Sequence, residues 1–306
     1  MEIQMTRPKT RRVLPLCDEM LNCHHILIAG CVGSGKSVLL QDYIYNILCR
    51  YYPDEDKPDG VQIVLIDPKR VDYMEYLTVP HFIRHVTENK EIISTLDDVI
   101  NTMENRYRYM QQKGLKKYDK CNLVVIVDEL ADLMTTNKKE VLPRLQRIAQ
   151  LGRAAKIKLV CATQAPARKV IPAELTLNFT GKIALHCESA IESRQVIGMD
   201  GAEKLPKNGK CLFKKGDGEK PDEYYIPMFA DSEYTAVIEH WKKQVPKNYK
   251  VSTRASSNKR YDEKAIEDKI RTFFDYVSLF IRALFIVLRK YAIYVIIVTL
   301  LYICFK

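Results

Sequence analysis

Residues 30–37 read GCVGSGKS, after the apolar run 25–29 (HILIA) and before residues 38–45 (VLLQDYIY), apolar at helical spacing. Strand, glycine-rich turn and helix start is the context that gives the G-x-x-x-x-G-K-[ST] pattern its meaning. Backbone N–H groups of the turn converge on the helix N-terminus, where the helix dipole adds positive potential, so an anion is held there. The expected phosphate cradle is Gly30, Cys31, Val32, Gly33, Ser34, Gly35, Lys36, Ser37 and Val38. Lys36 is expected to reach the β- and γ-phosphates, and the Ser37 hydroxyl to bind Mg²⁺. The expected ligands are a nucleoside triphosphate, ATP, and Mg²⁺.

Later strand ends supply the partners such a loop needs. Residues 121–127 (CNLVVIV) form an apolar run that closes on Asp128-Glu129. Asp128 is placed to hold Mg²⁺, and Glu129 to orient and polarise an attacking water. Residues 61–66 (VQIVLI) end at Asp67-Pro68-Lys69, at the strand end where open α/β sheets keep ligand-facing groups. Residues 157–162 (IKLVCA) end in Thr163-Gln164, and the Gln164 amide is placed to sense the γ-phosphate. Residues 182–187 (KIALHC) add a short strand; residues 96–109 and 141–151 carry helical periodicity. Apolar strands alternating with helices predict an α/β fold, a mostly parallel central sheet with helices on both faces.

The 306 residues carry a net charge of +10, which favours a polyanionic partner, nucleic acid or anionic lipid. Nine cysteines without a C-x-x-C pair fit reduced thiols in a cytosolic compartment. Cys23-His24-His25 makes a poor metal cluster, because neighbours on a strand point to opposite faces. Residues 1–20 read as a basic arm, with no secretory signal.

Five segments, HHILIAGCVGSGKS, VLIDPKRV, VVIVDELADLM, RIAQLGRAAKIKLVCATQAP and ESRQVIGMDGAEKL, occur in the order of the FtsK/SpoIIIE family of DNA translocases, which residues 21–241 resemble. The resemblance implies a RecA-like P-loop NTPase that assembles as a homo-oligomeric, hexameric ring and pumps double-stranded DNA through its centre without sequence preference. It also implies roles for single residues. Lys36, Asp128 and Glu129 match the phosphate and Walker B positions, and Gln164 matches the sensor. Arg153 matches an arginine that enters the neighbouring subunit's site, with Arg147 as second candidate. Among DNA-facing positions Arg194 matches, whereas Ala165 stands where the family usually carries arginine; Arg168 and Lys169 are the nearby replacements.

The expected domains are the arm, an FtsK-like motor over residues 21–245, a charged linker over 246–271 and a hydrophobic helical tail over 272–306. Residues 291–305 carry no charge; as a helix they reach only about 22 Å, short of a hydrocarbon core of about 30 Å. The tail is expected to span the membrane with help from flanking cations, lie in its interface or form a hairpin, placing a cytoplasmic motor at the membrane's inner face; packing on protein is the alternative. Three functions follow: an ATP-driven DNA translocase, a coupling or packaging ATPase of a conjugative element or virus, and a nucleotide-dependent membrane scaffold.

Overall fold

The computed structural model describes residues 15–69, 72–164, 166, 170–216, 220–226 and 229–244. The chain divides into two units, Met1–Ala255 and Ser256–Lys306, and every described residue lies in the first. In chain order the elements are α1 (Pro15–Asn22), β1 (Ile26–Ala29), α2 (Lys36–Arg50), β2 (Val61–Ile66), β3 (Phe82–Val86), α3 (Asn89–Lys113), β4 (Asn122–Val127) and α4 (Leu130–Thr136). There follow α5 (Lys138–Leu151), β5 (Ile157–Thr163), α6 (Ala173–Thr176), β6 (Gly181–Ala184), α7 (Ala190–Ile197), β7 (Lys210–Lys215), β8 (Asp222–Tyr225) and α8 (Asp231–Lys242).

The strands form one sheet in the order β3-β2-β4-β5-β1-β6-β7-β8. Side chains alternate across each buried strand, so consecutive residues feed two different cores. Ile26, Ile28, Ile63, Leu65, Val124 and Ile126 pack with α1, α2 and α8 on one face. Leu27, Val64, Ile66, Val125 and Val127 pack with α3, α4 and α5 on the other. Since β1, β2, β4 and β5 run parallel, their carboxyl ends share one edge of the sheet.

The sheet is mixed, and this corrects the expected fold class. Pairs among β1 to β6 are parallel, but β6–β7 and β7–β8 are antiparallel. In β7 (KCLFKK) buried Cys211 and Phe213 alternate with half-buried residues. That is the pattern of a strand near a sheet margin, built by chain reversal rather than by a helical crossover.

The hydrophobic helical tail is corrected as well. The last described element is α8, and residues 272–306 lie outside the described residues. Among the described residues no helix is long and apolar enough to cross a membrane. The longest, α3, has 25 residues but carries charged groups along its length, among them Lys90, Glu91, Asp97, Asp98, Glu104, Arg106 and Arg108. The membrane-face location drawn from that tail is withdrawn with it. Helix α1 overlaps the stretch expected as a basic arm, because Leu16, Cys17 and Met20 are buried in the first core.

Candidate active site at the carboxyl edge of the sheet

The glycine turn leaves β1 at Ala29 and enters α2 at Lys36. Gly35 sits at φ 97°, in the left-handed region that favours glycine. Gly30 is fixed by space: a Cβ there would lie 2.6 Å from Ser34 Oγ and 2.8 Å from Leu185 Cβ. The loop is tied down by Gly30 N–H donating to Thr163 O and Cys31 N–H to His186 O. No side chain caps α2, so its first-turn N–H groups remain available to an anion. Lys36 is buried and donates from Nζ to Gly30 O (2.6 Å) and Cys31 O (2.7 Å). Burial pulls its pKa below the ordinary lysine value, against the opposing pull of Glu129.

Asp128 and Glu129 follow β4, and both are almost wholly buried. Glu129 Oε1 accepts the backbone N–H of Gln164 at 3.0 Å, so the end of β5 fixes this carboxylate. Lys69, from the end of β2, lies 3.3 Å from Glu129 Oε2 and 3.6 Å from Asp128 Oδ2. The Tyr73 hydroxyl donates to Asp128 Oδ1 at 2.8 Å. Burial raises the Asp128 pKa, and Lys69 and Tyr73 oppose that rise. On Lys69 itself burial acts downward, but Asp128 and Glu129 prevail and hold its pKa above the usual value. The Ser37 hydroxyl donates to Asp72 Oδ2 at 2.9 Å.

A divalent hard cation suits this set of oxygens. Ser37 offers a hydroxyl, and Asp128 offers Oδ2, which is buried and accepts no hydrogen bond. Among the described residues no cluster of three His, Cys, Asp or Glu side chains could hold a metal by itself. Two such protein oxygens suit Mg²⁺, which keeps waters and leans on substrate phosphates.

Lys36, Ser37, Asp128, Glu129 and Gln164 thus share one edge of the sheet. Arg153 does not: it is exposed in the turn before β5, at the opposite edge. Arg147 pairs with Glu104 at 2.6 Å, and Arg194 with Asp200 at 2.6 Å, both exposed. Arg168 and Lys169 lie outside the described residues. Lys69 was flagged in the sequence only as part of a strand-end turn. Asp72 and Tyr73 carried no signal, because their partners lie 35 and 55 residues away. The eight described cysteines are all free.

A glycine turn at a helix start, facing an acidic pair two strands away across β5, defines a P-loop ATPase. The FtsK/SpoIIIE family pattern matches residues 3–122 and 119–168, and the chain belongs to that family. It is 36% identical over 251 residues to the DNA translocase FtsK of Chlorobaculum tepidum, covering 76% of this chain and 31% of that protein. With the DNA translocase SftA of Bacillus subtilis it shares 35% identity, over 77% of this chain and 26% of that one. It therefore spans about a third or less of these relatives. Among solved structures, the pCW3 conjugation coupling protein TcpA with ATPγS superposes at a TM-score of 0.62 with 22% identity, covering 72% of this chain and 65% of that one. The Type VII secretion ATPase EccC of Thermomonospora curvata gives 0.62 with 21% identity, over 74% and 28%. At such identities the likeness is one of fold.

Proposed function

We propose that this chain is a DNA-transfer ATPase, which hydrolyses ATP within a homo-oligomeric, hexameric ring and drives double-stranded DNA as coupling and packaging ATPases do. The observation that carries the chemistry is Glu129, held by the Gln164 N–H at 3.0 Å on the edge where the glycine turn opens. Lys36 and the first-turn N–H groups of α2 bind the phosphates; Ser37 and Asp128 hold Mg²⁺, which neutralises charge on the phosphate oxygens. Glu129 orients the attacking water and accepts its proton, with Gln164 beside the γ-phosphate. DNA as the driven substrate is supported by 35–36% identity to proteins named DNA translocases. Movement demands grip on phosphates rather than on base edges, so binding should be non-specific and salt-sensitive.

Two observations favour transfer. Ala165 stands where family members usually carry arginine, so the pore contacts depart from the family pattern. The fold is also shared with a protein titled a conjugation coupling protein. Identity to FtsK favours the second reading, a translocase of the chromosome-partition kind. Intact Lys36, Asp128 and Glu129 speak against a passive scaffold, which needs none of them. The test is ATP turnover by the full chain with and without duplex DNA. Stimulation is expected, and is expected to vanish in Lys36→Ala and Glu129→Gln; turnover indifferent to DNA would sink the reading.

A further inference from the structure

The glycine turn holds a thiol, Cys31, and the fold gives it a partner. Beyond the paired residues Ala29 and Ala184, the β1–β6 ladder continues for one more step. Leu185 N–H donates to Ala29 O at 2.8 Å, and Cys31 N–H donates to His186 O at 2.9 Å. In a parallel ladder, a residue that donates to one carbonyl stands opposite the residue that follows it. Cys31 therefore stands opposite Cys187, with one extra residue on the β6 side. Parallel neighbours lie about 5 Å apart, inside the roughly 4.4–6.8 Å between Cα atoms that a disulfide spans. Both thiols are free. Each sulfur rests on a backbone carbonyl at 3.5 Å, Cys31 Sγ on Val32 O and Cys187 Sγ on Leu185 O.

The two thiols are unequal. Cys31 keeps 9% exposure beside Val32 at 77%, so a small solute reaches it from the mouth of the turn. Cys187 is 1% exposed, enclosed with Ala29, Ala184, Val196 and Leu205. Burial, with Glu192, Cys31 and Glu203 adding to it, pushes the Cys187 thiol up to about 12, against the pull of Lys36. Cys31 is thus the sulfur that meets an oxidant first, and Cys187 the one that resolves the product. The backbone at Cys31 also bears on phosphate binding. Cys31 O and Gly30 O receive Lys36 Nζ at 2.7 and 2.6 Å, and Gly30 is walled in by Ser34 and Leu185. Any pull on Cys31 is therefore passed to the lysine and to the turn.

We propose that Cys31 and Cys187 are an oxidation site, which hydrogen peroxide converts to a disulfide that closes the glycine turn to nucleotide. The Cys31 sulfur attacks a peroxide oxygen: the S–O bond forms, the O–O bond breaks, and the departing oxygen leaves as water with the thiol proton. The Cys187 sulfur then attacks the resulting sulfenic acid. The S–S bond forms, the S–O bond breaks, and a second water leaves with the Cys187 proton, two electrons having passed from the thiols to the peroxide. A bond of about 2.05 Å takes both sulfurs off their carbonyls and draws Cys31 toward the β6 side. This regulation rests on the glycine turn as the ATP site, not on DNA as the driven substrate. The test treats the full chain with stoichiometric hydrogen peroxide, blocks remaining thiols with iodoacetamide and maps the peptides without reduction. A linked Cys31–Cys187 peptide is expected, with affinity for a non-hydrolysable ATP analogue about tenfold weaker or more and restored by dithiothreitol. Cys187→Ala should bind the analogue as the untreated chain does, and should keep most of that affinity after peroxide. Oxidation of Cys31 without the linked peptide overturns the pair. A linked peptide with unchanged affinity overturns the closure. Equal loss of affinity in Cys187→Ala overturns the disulfide as its cause. Turnover indifferent to DNA overturns the DNA reading and touches none of these results, because all are read without DNA.

Discussion

Lys69 sets the resting electrostatics of the active site. Two carboxylates at 2% and 4% side-chain exposure flank one ammonium that is one-third exposed. Removing one partner of such a cluster leaves the other charges buried and uncompensated, which costs roughly 3–5 kcal/mol when all groups are dry. Water reaches Lys69, so Lys69→Met should cost about 2 kcal/mol of unfolding free energy, read from urea denaturation. Millimolar Mg²⁺ should restore more stability to the variant than to the unsubstituted chain, because both cations compete for Asp128. Equal magnesium effects in the two proteins would show that the ammonium and the metal use different places. Lys69, Asp72 and Tyr73 reach Asp128, Glu129 and Ser37 from one short stretch after β2. Binding Mg²⁺ and nucleotide therefore means exchanging several protein contacts rather than filling a bare cleft.

At the scale of elements, α2 is held from behind by α8. The Trp241 indole donates to Leu48 O at 2.9 Å, and the Tyr234 hydroxyl to Asp42 Oδ1 at 2.6 Å. Asp42 is fully buried, its Oδ2 accepts no hydrogen bond, and burial lifts its pKa from 3.8 to about 7 against the opposing Tyr234 bond. An acid whose folded pKa is raised binds its proton more tightly folded than unfolded. Its contribution is therefore fullest below pH 3.8 and is lost as pH climbs to about 7. That window corresponds to at most roughly 4 kcal/mol. Asp42→Asn should flatten stability between pH 4 and pH 7 and gain most above pH 7, measured as denaturant midpoints; an unchanged slope would place the proton elsewhere. On the other face, Arg106 of α3 is 6% exposed, donates to Ala155 O (2.8 Å) and Lys156 O (3.2 Å), and stacks on Tyr118 at 4.5 Å. It clamps the turn that carries Arg153. Arg106→Met keeps the stem but strands those carbonyls, and should cost about 3 kcal/mol in thermal or urea unfolding. Neither contact was visible in the sequence. Asp42 and Arg106 sit in helical stretches where a charge normally faces water, and only the packed partner reveals that they do not.

For the molecule as a whole, strand ends were readable because fully apolar runs such as 61–66 and 121–127 stop at polar residues, and those stops fall on one edge. The antiparallel β7 and β8 were not, since short half-buried strands alternate too weakly to stand out, and pairing direction depends on a connection that no local pattern records. Arg153 shows the same divide. Its identity was legible, but its distance from the chain's own glycine turn follows from strand direction alone. A group at the amino edge can serve chemistry at a carboxyl edge only in another copy, where it would neutralise charge developing on the γ-phosphate. Arg153→Ala should therefore keep nucleotide affinity and lose turnover by about a hundredfold or more. Lys36→Ala should be inactive for the opposite reason, having an intact arginine and a disabled turn. Mixed in equal amounts, the two inactive chains should form interfaces that pair a good turn with a good arginine, and recover a measurable part of the activity. Titrating the mixing ratio sharpens the test, because a contribution made across the interface peaks at intermediate ratios. Activity that stays at the background of the two separate variants at every ratio would mean that Arg153 acts within its own chain or not at all.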